Sequence, residues 1–254
     1  MTTHPTREAL DRTLQLLQQP PEQPTAPDGY LDLLGEQDVP ESSGAVQNLW
    51  LSQPGSQIYD GLLRFSFGVN EWVRPVLGGL EFLDMPGRLQ LQGGETVLDL
   101  GSGPGNITRA LGRAVGATGL VLGADVSPAM LTRAVAATDA EQIVYLRADA
   151  SRPPLEDDSV DAICCSACLQ LLADPFAALS EMQRVLRPGG RLALSAPAAI
   201  GGPLDKAYQL AERTGGVRLF RSGELEQALR TRGFEQVRER GPFGMRLADA
   251  VKPS

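Results

Sequence analysis

Several residue types and patterns are scarce in this sequence, and each absence narrows the possible functions. The single histidine, His4, lies near the start of a 254-residue chain, so the rest of the sequence has no imidazole to serve as a general base. The three cysteines all fall within the segment CCSAC, which excludes a disulfide framework and leaves too few ligands for a zinc site. We therefore expect no metal centre.

Basic clusters and long apolar runs are also missing. The 23 lysine and arginine residues are outnumbered by 31 acidic residues, and the net charge of −8 disfavours nucleic acid as a partner. No apolar run reaches the roughly 18 residues that a membrane-spanning helix needs. The first residues, MTTHPTREALDR, lack the layout of a signal peptide, so we expect a cytoplasmic protein without an integral membrane segment. The composition leaves the oligomeric state open.

Composition divides the sequence into three parts. Residues 1–45 contain the run QQPPEQP, which predicts a flexible tail, with a possible helix before it where leucines recur at helical spacing. An alternative is that this tail folds over a pocket as a lid. Residues 46–94 have an interrupted helical pattern with Trp50 and Trp72, and we interpret them as a helical extension that covers a substrate pocket.

The third part, residues 95–254, alternates apolar strands with amphipathic helices. The segments TVLDL, LVLGADV, IVYLRAD, VDAICCS and RLALSAP indicate strands, and two more strand candidates lie near the C-terminus. Helical patterns separate them. This alternation predicts an α/β fold built on a doubly wound, mostly parallel sheet of seven strands, with the ligand at the carboxyl ends of the strands.

The stretch ETVLDLGSGPGNIT places three glycines at alternate positions directly after a predicted strand. Gly101, Gly103 and Gly105 permit positive φ angles and bring bare backbone close to a ligand at the start of a helix. A dinucleotide fold would use the spacing G-x-G-x-x-G, whereas here Asn106 occupies the third fingerprint position. The turn predicts a ligand site. One alternative for the function of the chain is a nicotinamide-dependent oxidoreductase, which would bind its cofactor at this turn.

Acidic residues mark three successive strand ends. Asp99 precedes the glycine turn, Asp125 ends the second strand of this part, and Asp149 follows the third. A carboxylate in the position of Asp125 can accept both hydroxyls of a ribose, and one in the position of Asp149 can accept from an exocyclic amine. Each acid alone could instead cap a helix or lie in a solvated loop. Together they predict an adenosine-binding edge.

The segments VLDLGSGPGNIT, GADVSPAML, RADASRPPLEDDSVDAICCS and EMQRVLRPGGRLALSAP resemble the motif series of class I S-adenosylmethionine-dependent methyltransferases, in particular the type 11 group. The resemblance covers about 95–197 and implies a Rossmann-like methyltransferase fold, S-adenosyl-L-methionine as the cofactor and methyl transfer as the reaction. It implies cofactor contacts at the glycine turn and at the strand ends beside it, by Asp99, Gly101, Ser102, Gly103, Asp125, Val126, Met130, Asp149, Ala150, Cys165 and Ser166.

The same resemblance gives these residues separate roles. The glycine turn passes under the methionine part of the cofactor, and Asp99 helps to hold the amino group, directly or through water. Asp125 binds the ribose hydroxyls, and Cys165 and Ser166 border the methyl group. The residues implied to face the adenine are Val126, Met130, Asp149 and Ala150.

A second resemblance concerns the methyl acceptor. The segment YDGLLRFSFGVNEWVRPVL is similar to the entry segment of the menaquinone and ubiquinone C-methyltransferases. It implies a small, apolar or aromatic acceptor of the quinone or prenyl-lipid kind, with a natural product as the alternative. Because methyl transfer depends on holding two reactants close and aligned, we expect C- or O-methylation driven by positioning, without a histidine base. If a base is needed, the candidates are Tyr59, Asp60 and Glu71.

Two further interpretations stay open at the level of the sequence. The chain could be a catalytically silent module that binds the cofactor without turnover, although its glycine turn and ribose acid are intact. Cys165 and Cys168 form a C-x-x-C pair, which is found in redox proteins. We interpret these cysteines as small, polarizable residues that fill the end of a strand and the start of a helix.

Overall fold

The computed structural model describes residues 5–22, 26, 28–34, 84–199, 217–241 and 244–254. Its strands are β1 (Leu31–Asp32), β2 (Thr96–Leu100), β3 (Leu120–Asp125), β4 (Ile143–Arg147), β5 (Val160–Ser166), β6 (Leu186–Pro197), β7 (Glu235–Arg240) and β8 (Met245–Val251). Its helices are α1 (Arg7–Gln15), α2 (Met85–Leu89), α3 (Asn106–Val115), α4 (Pro128–Ala136), α5 (Pro175–Val185) and α6 (Glu224–Thr231), with a 3₁₀ helix at Leu169–Leu171.

The strands of the described residues form one eight-stranded sheet in the order β1-β4-β3-β2-β5-β6-β8-β7. All neighbouring pairs from β1 to β6 are parallel, and β8 pairs antiparallel with β6 and with β7. The predicted doubly wound, mostly parallel α/β fold is confirmed. The predicted number of seven strands is wrong by one, because β1 adds a parallel edge strand in which Leu31 aligns with Leu146.

Helices cover both faces of the sheet. The apolar sides of α2, α3 and α4 pack on one face, and those of α1, α5 and α6 pack on the other. The parallel strands are buried on both sides, as their continuous apolar runs predict. Within β2, Val97 lies in the core on the face that carries α2, α3 and α4, and Leu98 lies in the core on the opposite face. Because side chains alternate along a strand, Asp99 points to the same face as Val97, the face that carries α3.

The N-terminal segment is packed against the sheet wherever the structure describes it. Leu17 and Leu31 are buried in the core of one face, and Arg12 donates to the carbonyls of Thr118 and Gly119 at 3.1 and 3.3 Å. The proline-rich composition predicts a flexible tail, but each buried leucine contributes about 1.5–3 kcal/mol and favours docking of the segment. Residues 46–83 lie outside the described residues.

Short polar caps start the helices that surround the carboxyl edge of the sheet. The Ser127 side chain accepts from the backbone N–H of Met130 at the start of α4, and Pro128 follows as the first helical residue. Asp174 caps α5 in the same way, accepting from two backbone N–H groups. These side chains satisfy amides that the first turn of a helix leaves unpaired, so both helices begin at defined residues behind the strands.

A buried arginine joins α2 to the sheet. The Arg88 guanidinium donates through Nε to the carboxylate of Asp249 at 2.8 Å, and through Nη2 to the carbonyls of Leu194 and Ala248 at 2.8 and 3.0 Å. The side chain is 5% exposed. Because a planar guanidinium can serve several acceptors at once, Arg88 bridges β6 and β8 at the point where the sheet changes from parallel to antiparallel.

We expect Arg88→Met to lower the free energy of unfolding by about 2–3 kcal/mol, since it leaves a carboxylate and two carbonyls with fewer partners. Denaturant unfolding of the variant measures this loss. Arg240→Met is the matched control, because Arg240 pairs with the same Asp249 at 2.8 Å but is 48% exposed. Arg240→Met should lower the free energy of unfolding by less than about 1 kcal/mol. Equal decreases in the free energy of unfolding for the two variants would contradict a special contribution from Arg88.

Candidate active site

The glycine turn connects the end of β2 to the start of α3 and is held to the end of β3. Gly101, Gly103 and Gly105 have φ angles of 70°, 52° and 76°, in the left-handed region that favours glycine. The N–H groups of Gly101 and Ser102 both donate to the carbonyl of Ala124, at 2.8 and 3.0 Å. The turn is therefore fixed in place by a neighbouring strand.

Two of these glycines have different surroundings. A Cβ atom on Gly101 would run into the Cβ and Sγ atoms of Cys168, which packs directly against the turn from the segment after β5. A Cβ atom on Gly103 would meet no atom of the described residues within 4 Å. Gly101 is therefore required by close packing of the protein, whereas Gly103 faces space that a ligand can enter.

Asp125 at the end of β3 closes this turn. Its Oδ2 accepts from the N–H of Gly103 at 2.8 Å, and its Oδ1 accepts from the N–H of Ser127 at 2.8 Å. Burial raises the pKa of Asp125 above its usual value, while backbone N–H groups of Ser127, Gly103 and Val126 act in the opposite direction. The structure thus brings the predicted ribose acid into direct contact with the predicted glycine turn.

Donors and an unsatisfied hydroxyl converge beside the turn. The hydroxyl oxygen of Ser102 is buried and has no hydrogen-bond partner among the described residues. Gly105, the N-cap of the ten-residue helix α3, has no side chain that could cap the first amides of this helix. A buried polar atom without a partner is costly, and a bound polar ligand would relieve that cost.

Asp99 lies behind the turn and is 1% exposed. Its Oδ2 accepts from the Thr108 hydroxyl at 2.6 Å, and the Cys164 thiol donates to the same carboxyl group. Burial raises the pKa of Asp99 to about 6, the two hydrogen bonds oppose this rise, and the charge of Asp125 adds to it. A carboxylate in this position is held in a nearly dry site.

We predict a pH-dependent stability difference between the parent protein and Asp99→Asn. Because the folded-state pKa of about 6 lies above the ordinary value of 3.8, the ionised carboxylate costs stability near neutral pH, and this cost disappears as the pH falls from about 6 to about 4. The variant should be more stable near neutral pH by up to about 3 kcal/mol. Denaturant unfolding across this pH range measures the difference. If the free energies of unfolding of the parent protein and the variant changed with pH in parallel, the result would contradict a buried carboxylate at Asp99.

The residues predicted to face the adenine lie along the next strands. Met130 is buried at the start of α4, and the Val126 carbonyl accepts from the Arg147 side chain at 3.4 Å. Both oxygens of Asp149 are engaged by Ser151, through its N–H at 2.8 Å and its hydroxyl at 2.7 Å. Asp149 thus lies in a loop whose own residues bind its carboxylate, which is one of the alternatives that the sequence allowed for each acid. Ala150, which follows it, is buried.

The end of β5 forms the opposite side of the turn. Leu100 at the end of β2 aligns with Cys165 of β5, and the hydroxyls of Ser166 and Ser195 form a hydrogen bond of 2.8 Å across β5 and β6. Ala167 then adopts a left-handed conformation with φ 51° and turns the chain back toward the glycines. A non-glycine residue in this region carries strain that surrounding contacts must offset.

Two cysteines near this edge, Cys164 and Cys168, are neutral thiols at ordinary pH. A hydrogen bond that the Cys168 thiol donates to Cys165, together with burial, raises the pKa of Cys168 well above its ordinary value, and burial raises the pKa of Cys164 in the same way. Thiolates react and thiols do not, so these residues are poorly suited to redox chemistry and well suited to packing. Within the described residues, no group of three or more His, Cys, Asp or Glu side chains is arranged to hold a metal.

The three predicted base candidates, Tyr59, Asp60 and Glu71, lie outside the described residues. Four further residues of this edge were given no role from the sequence, namely Thr108, Cys164, Tyr145 and Ser195. One signal was available for Tyr145. Gly123 lies inside an apolar strand, and an isolated strand glycine often marks a close approach by another group. The remaining contacts join residues of different elements and leave no local pattern.

A family model described as a methyltransferase domain matches residues 98–194. The ubiquinone/menaquinone biosynthesis C-methyltransferase UbiE of Vibrio campbellii is 41% identical over 120 residues, which are 45% of this chain and 46% of that protein. An arsenite methyltransferase of Halobacterium salinarum is 38% identical over 105 residues, 40% of this chain and 27% of that protein. The chain thus spans less than half the length of these curated relatives.

A solved structure provides a comparison of folds. Phosphoethanolamine N-methyltransferase 2 of Haemonchus contortus, in complex with phosphomonomethylethanolamine and S-adenosylhomocysteine, has a TM-score of 0.63 and 18% identity to this chain. The match covers 80% of this chain and 60% of that chain. At this level of identity the likeness concerns the fold alone. No helix in the described ranges is long and apolar enough to cross a membrane.

Proposed function

We propose that this chain is a class I S-adenosylmethionine-dependent methyltransferase and that it methylates a small, apolar or aromatic acceptor. The proposal has two parts, the residues that hold the cofactor and the kind of acceptor that is placed beside it.

The carboxyl edge of β2, β3 and β5 fits the cofactor. When bound, S-adenosylmethionine supplies an electrophilic methyl group on a sulfonium sulfur, which keeps the bonding electron pair when the methyl group leaves. The buried Ser102 hydroxyl without a partner and the open space at Gly103 support a ligand at this turn. Asp125 would accept from the ribose hydroxyls with its remaining lone pairs, and Asp99 would hold the amino group. The adenine would lie near Val126, Met130, Asp149 and Ala150.

The acceptor class rests on one observation, the uncharged surroundings of Gly101 on the side of β5. The Cys168 side chain packs against Gly101, and its raised pKa keeps it a neutral thiol. Cys165 and Leu169 beside it are fully buried. Cys168 itself is partly exposed, so an acceptor that approaches from this side would meet its neutral sulfur, which favours an apolar or aromatic molecule over a charged one.

The relatives support the quinone-like form of this acceptor. The segment related to the C-methyltransferase of ubiquinone and menaquinone biosynthesis covers 45% of this chain. A natural-product acceptor with an activated carbon or a phenol would meet the same surroundings. We propose C- or O-methylation, in which the protein contributes mainly by holding the reactants together, an effect that can supply about 7–11 kcal/mol of the barrier.

Loss of a proton from such an acceptor needs no histidine. The only histidine is His4, and the candidates for a base remain Tyr59, Asp60 and Glu71. A phenolate or an enolate-like carbon is already nucleophilic, so a weakly basic side chain or water would suffice to take the proton.

The experiment that tests this proposal follows the methyl group. The purified protein is incubated with methyl-labelled S-adenosylmethionine and an extract of its host cells, and the products are partitioned between organic and aqueous phases. Gly101→Ala, which we expect to lose cofactor binding, is the control for label transferred by other enzymes. We expect label in the organic phase only with the parent protein.

Two results would overturn parts of the proposal. Label confined to water-soluble or protein fractions would exclude the apolar acceptor and direct the search to polar metabolites or proteins. Tight binding of S-adenosylhomocysteine with no labelled product in any fraction would favour the silent cofactor-binding module.

A further inference from the structure

We propose that Arg147 and Asp32 are positioning residues for the adenine end of the cofactor site, and that the docked N-terminal segment braces the loop that follows β4. This adenine loop comprises residues 148–155 and carries Asp149 and Ala150. The inference rests on the proposed S-adenosylmethionine site. It assigns to the N-terminal segment, residues 6–18 and 28–34, an effect on the cofactor that is exerted through the loop.

The far end of the adenine loop is paired with the residues that follow α1. The N–H of Gln18 donates to the carbonyl of Pro154 at 3.1 Å, and the N–H of Glu156 donates to the carbonyl of Leu16 at 2.9 Å. Leu17 between them is buried in the core. These two bonds run in opposite directions between the same two stretches of chain, so they hold the loop and the N-terminal segment side by side.

The near end of the loop is paired with β1. Leu31 aligns with Leu146 of β4 and is 2% exposed, and the N–H of Leu33 donates to the carbonyl of Arg147 at 3.0 Å. Because β1 and β4 are parallel, both strands end at the carboxyl edge of the sheet. Asp32 therefore lies at the edge where the cofactor is proposed to bind.

The Arg147 side chain connects β1 to the end of β3. Its Nη1 donates to Oδ2 of Asp32 at 2.8 Å and to the carbonyl of Leu34 at 3.2 Å, and its Nε donates to the carbonyl of Val126 at 3.4 Å. The Arg147 side chain is 12% exposed. A planar guanidinium can serve several acceptors at once, so Arg147 joins the N-terminal segment to a residue that is proposed to face the adenine.

The two ends of the loop differ in their side-chain support. Arg184 of α5 also holds the far end, where its guanidinium donates to the carbonyls of Pro153 and Leu155 at 3.1 and 2.7 Å. At the near end, the N–H of Ala148 donates to the carbonyl of Asp125 at 3.2 Å, directly beside the proposed ribose acid. The arginine that supports this end is Arg147, so its loss should displace the near end of the loop more than the far end.

The contacts of Asp149 leave its position dependent on these anchors. Its carboxylate accepts from Ser151, and its carbonyl accepts from the N–H of Arg152 at 3.2 Å. Both partners belong to the loop, so they shape it but do not fix it to the sheet. A brace that orders the loop before the cofactor arrives reduces the ordering that binding must provide, and coupling of this kind acts in both directions.

The test uses three variants of the full chain. Arg147→Met removes the guanidinium and keeps an apolar side chain, and Asp32→Ala removes its acidic partner, which is 47% exposed. Arg12→Met is the matched control, because Arg12 also ties the N-terminal segment to backbone carbonyls, those of Thr118 and Gly119, but does so before β3 at the amino edge. Denaturant unfolding of each variant measures its stability.

The first measurement is discrimination at the adenine, by titration calorimetry with S-adenosylhomocysteine and with S-inosylhomocysteine, in which an oxo group replaces the exocyclic amine. We expect the parent protein to prefer S-adenosylhomocysteine about tenfold or more, because the analogue leaves an acceptor of the loop without its donor. Arg147→Met should weaken S-adenosylhomocysteine binding about tenfold and reduce this preference to about twofold. Asp32→Ala should change both in the same direction by less. A purely structural loss would weaken both ligands equally.

The second measurement follows the coupling from the opposite side, by hydrogen exchange of single backbone N–H groups in nuclear magnetic resonance spectra. Saturating S-adenosylhomocysteine should slow exchange of the N–H groups of Gln18 and Leu33, which pair with the two ends of the loop. The N–H of Thr6 should be unaffected, because it donates to the carbonyl of Glu141 at the amino end of β4. In Arg147→Met the effect on Leu33 should be lost.

Other outcomes separate the possible failures. If the parent protein does not bind S-adenosylhomocysteine, both the proposed function and this inference are overturned. If the parent binds it, the inference alone is overturned by an unchanged preference in Arg147→Met, or by an equal loss of preference in Arg12→Met.

Two further results would also overturn the inference. One is a parent protein that binds both ligands equally, since the braced loop would then not recognise the adenine. If Arg147→Met does not fold, Asp32→Ala replaces it, and the second result is an unchanged preference in that variant together with unchanged exchange at Leu33.

Discussion

Gly101→Ala should nearly abolish cofactor binding and should also destabilise the fold. The residue has a φ angle of 70°, which costs an alanine about 1–2 kcal/mol, and the added methyl group would run into the side chain of Cys168. Overpacking of this kind adds about 1–3 kcal/mol. The turn would have to move away from the carbonyl of Ala124, which fixes the positions of its amides.

The expected result is a loss of more than about 30-fold in affinity for S-adenosylhomocysteine, measured by calorimetry, and a fall of roughly 2–5 kcal/mol in the free energy of unfolding. Gly223→Ala is the matched control, since Gly223 also has a positive φ of 79° but an added Cβ would have no atom of the described residues within 4 Å. The control should cost about 1 kcal/mol of stability and leave affinity unchanged. Parent-like affinity in Gly101→Ala would show that the turn does not hold the cofactor.

Asp125→Ala should weaken cofactor binding by about 3 kcal/mol, or roughly 100-fold, without unfolding the protein. The carboxylate is placed at the end of β3, where it would accept from the ribose hydroxyls, and hydrogen bonds to a charged group contribute about 1.5–3 kcal/mol each. The change also removes the acceptor of the Gly103 N–H, so the turn loses one of its anchors. Titration with S-adenosylhomocysteine measures the effect.

A second acid on the same sheet makes the matched control for this variant. Asp161 accepts from the backbone N–H of Thr96 at 2.8 Å and pairs with Arg187, but Thr96 begins β2 and lies at its amino end. Asp161→Ala should lower stability and leave the affinity for S-adenosylhomocysteine unchanged. Equal losses of affinity in the two variants would mean that Asp125 acts through stability alone.

Features that depend on neighbouring residues in the chain were predictable from the sequence. Alternating apolar segments and helical patterns predicted the parallel sheet, because each element needs a buried face that its own residues must supply. The strand before Gly101 and the acid at Asp125 belong to a local pattern whose spacing relates directly to the ends of parallel strands. The structure places these two residues at adjoining strand ends.

Features that depend on contacts between distant segments were not predictable. β1 has only two residues, too few for any periodic signal, and it forms because the parallel edge of β4 is available to it. Thr108 and Tyr145 both approach Gly123 only when α3, β3 and β4 have assembled. Asp149 has the position expected of a ligand-binding acid, but the serine two residues later engages both of its oxygens, a local competition that spacing alone does not reveal.

The central claim, a cofactor site built on Asp99, the glycine turn and Asp125, is tested most directly by titration calorimetry of the parent protein. S-adenosylhomocysteine and NAD are titrated in separate experiments under the same conditions. The account predicts saturable binding of S-adenosylhomocysteine with one site per chain and no measurable binding of NAD. Saturable binding of NAD without binding of S-adenosylhomocysteine would contradict it.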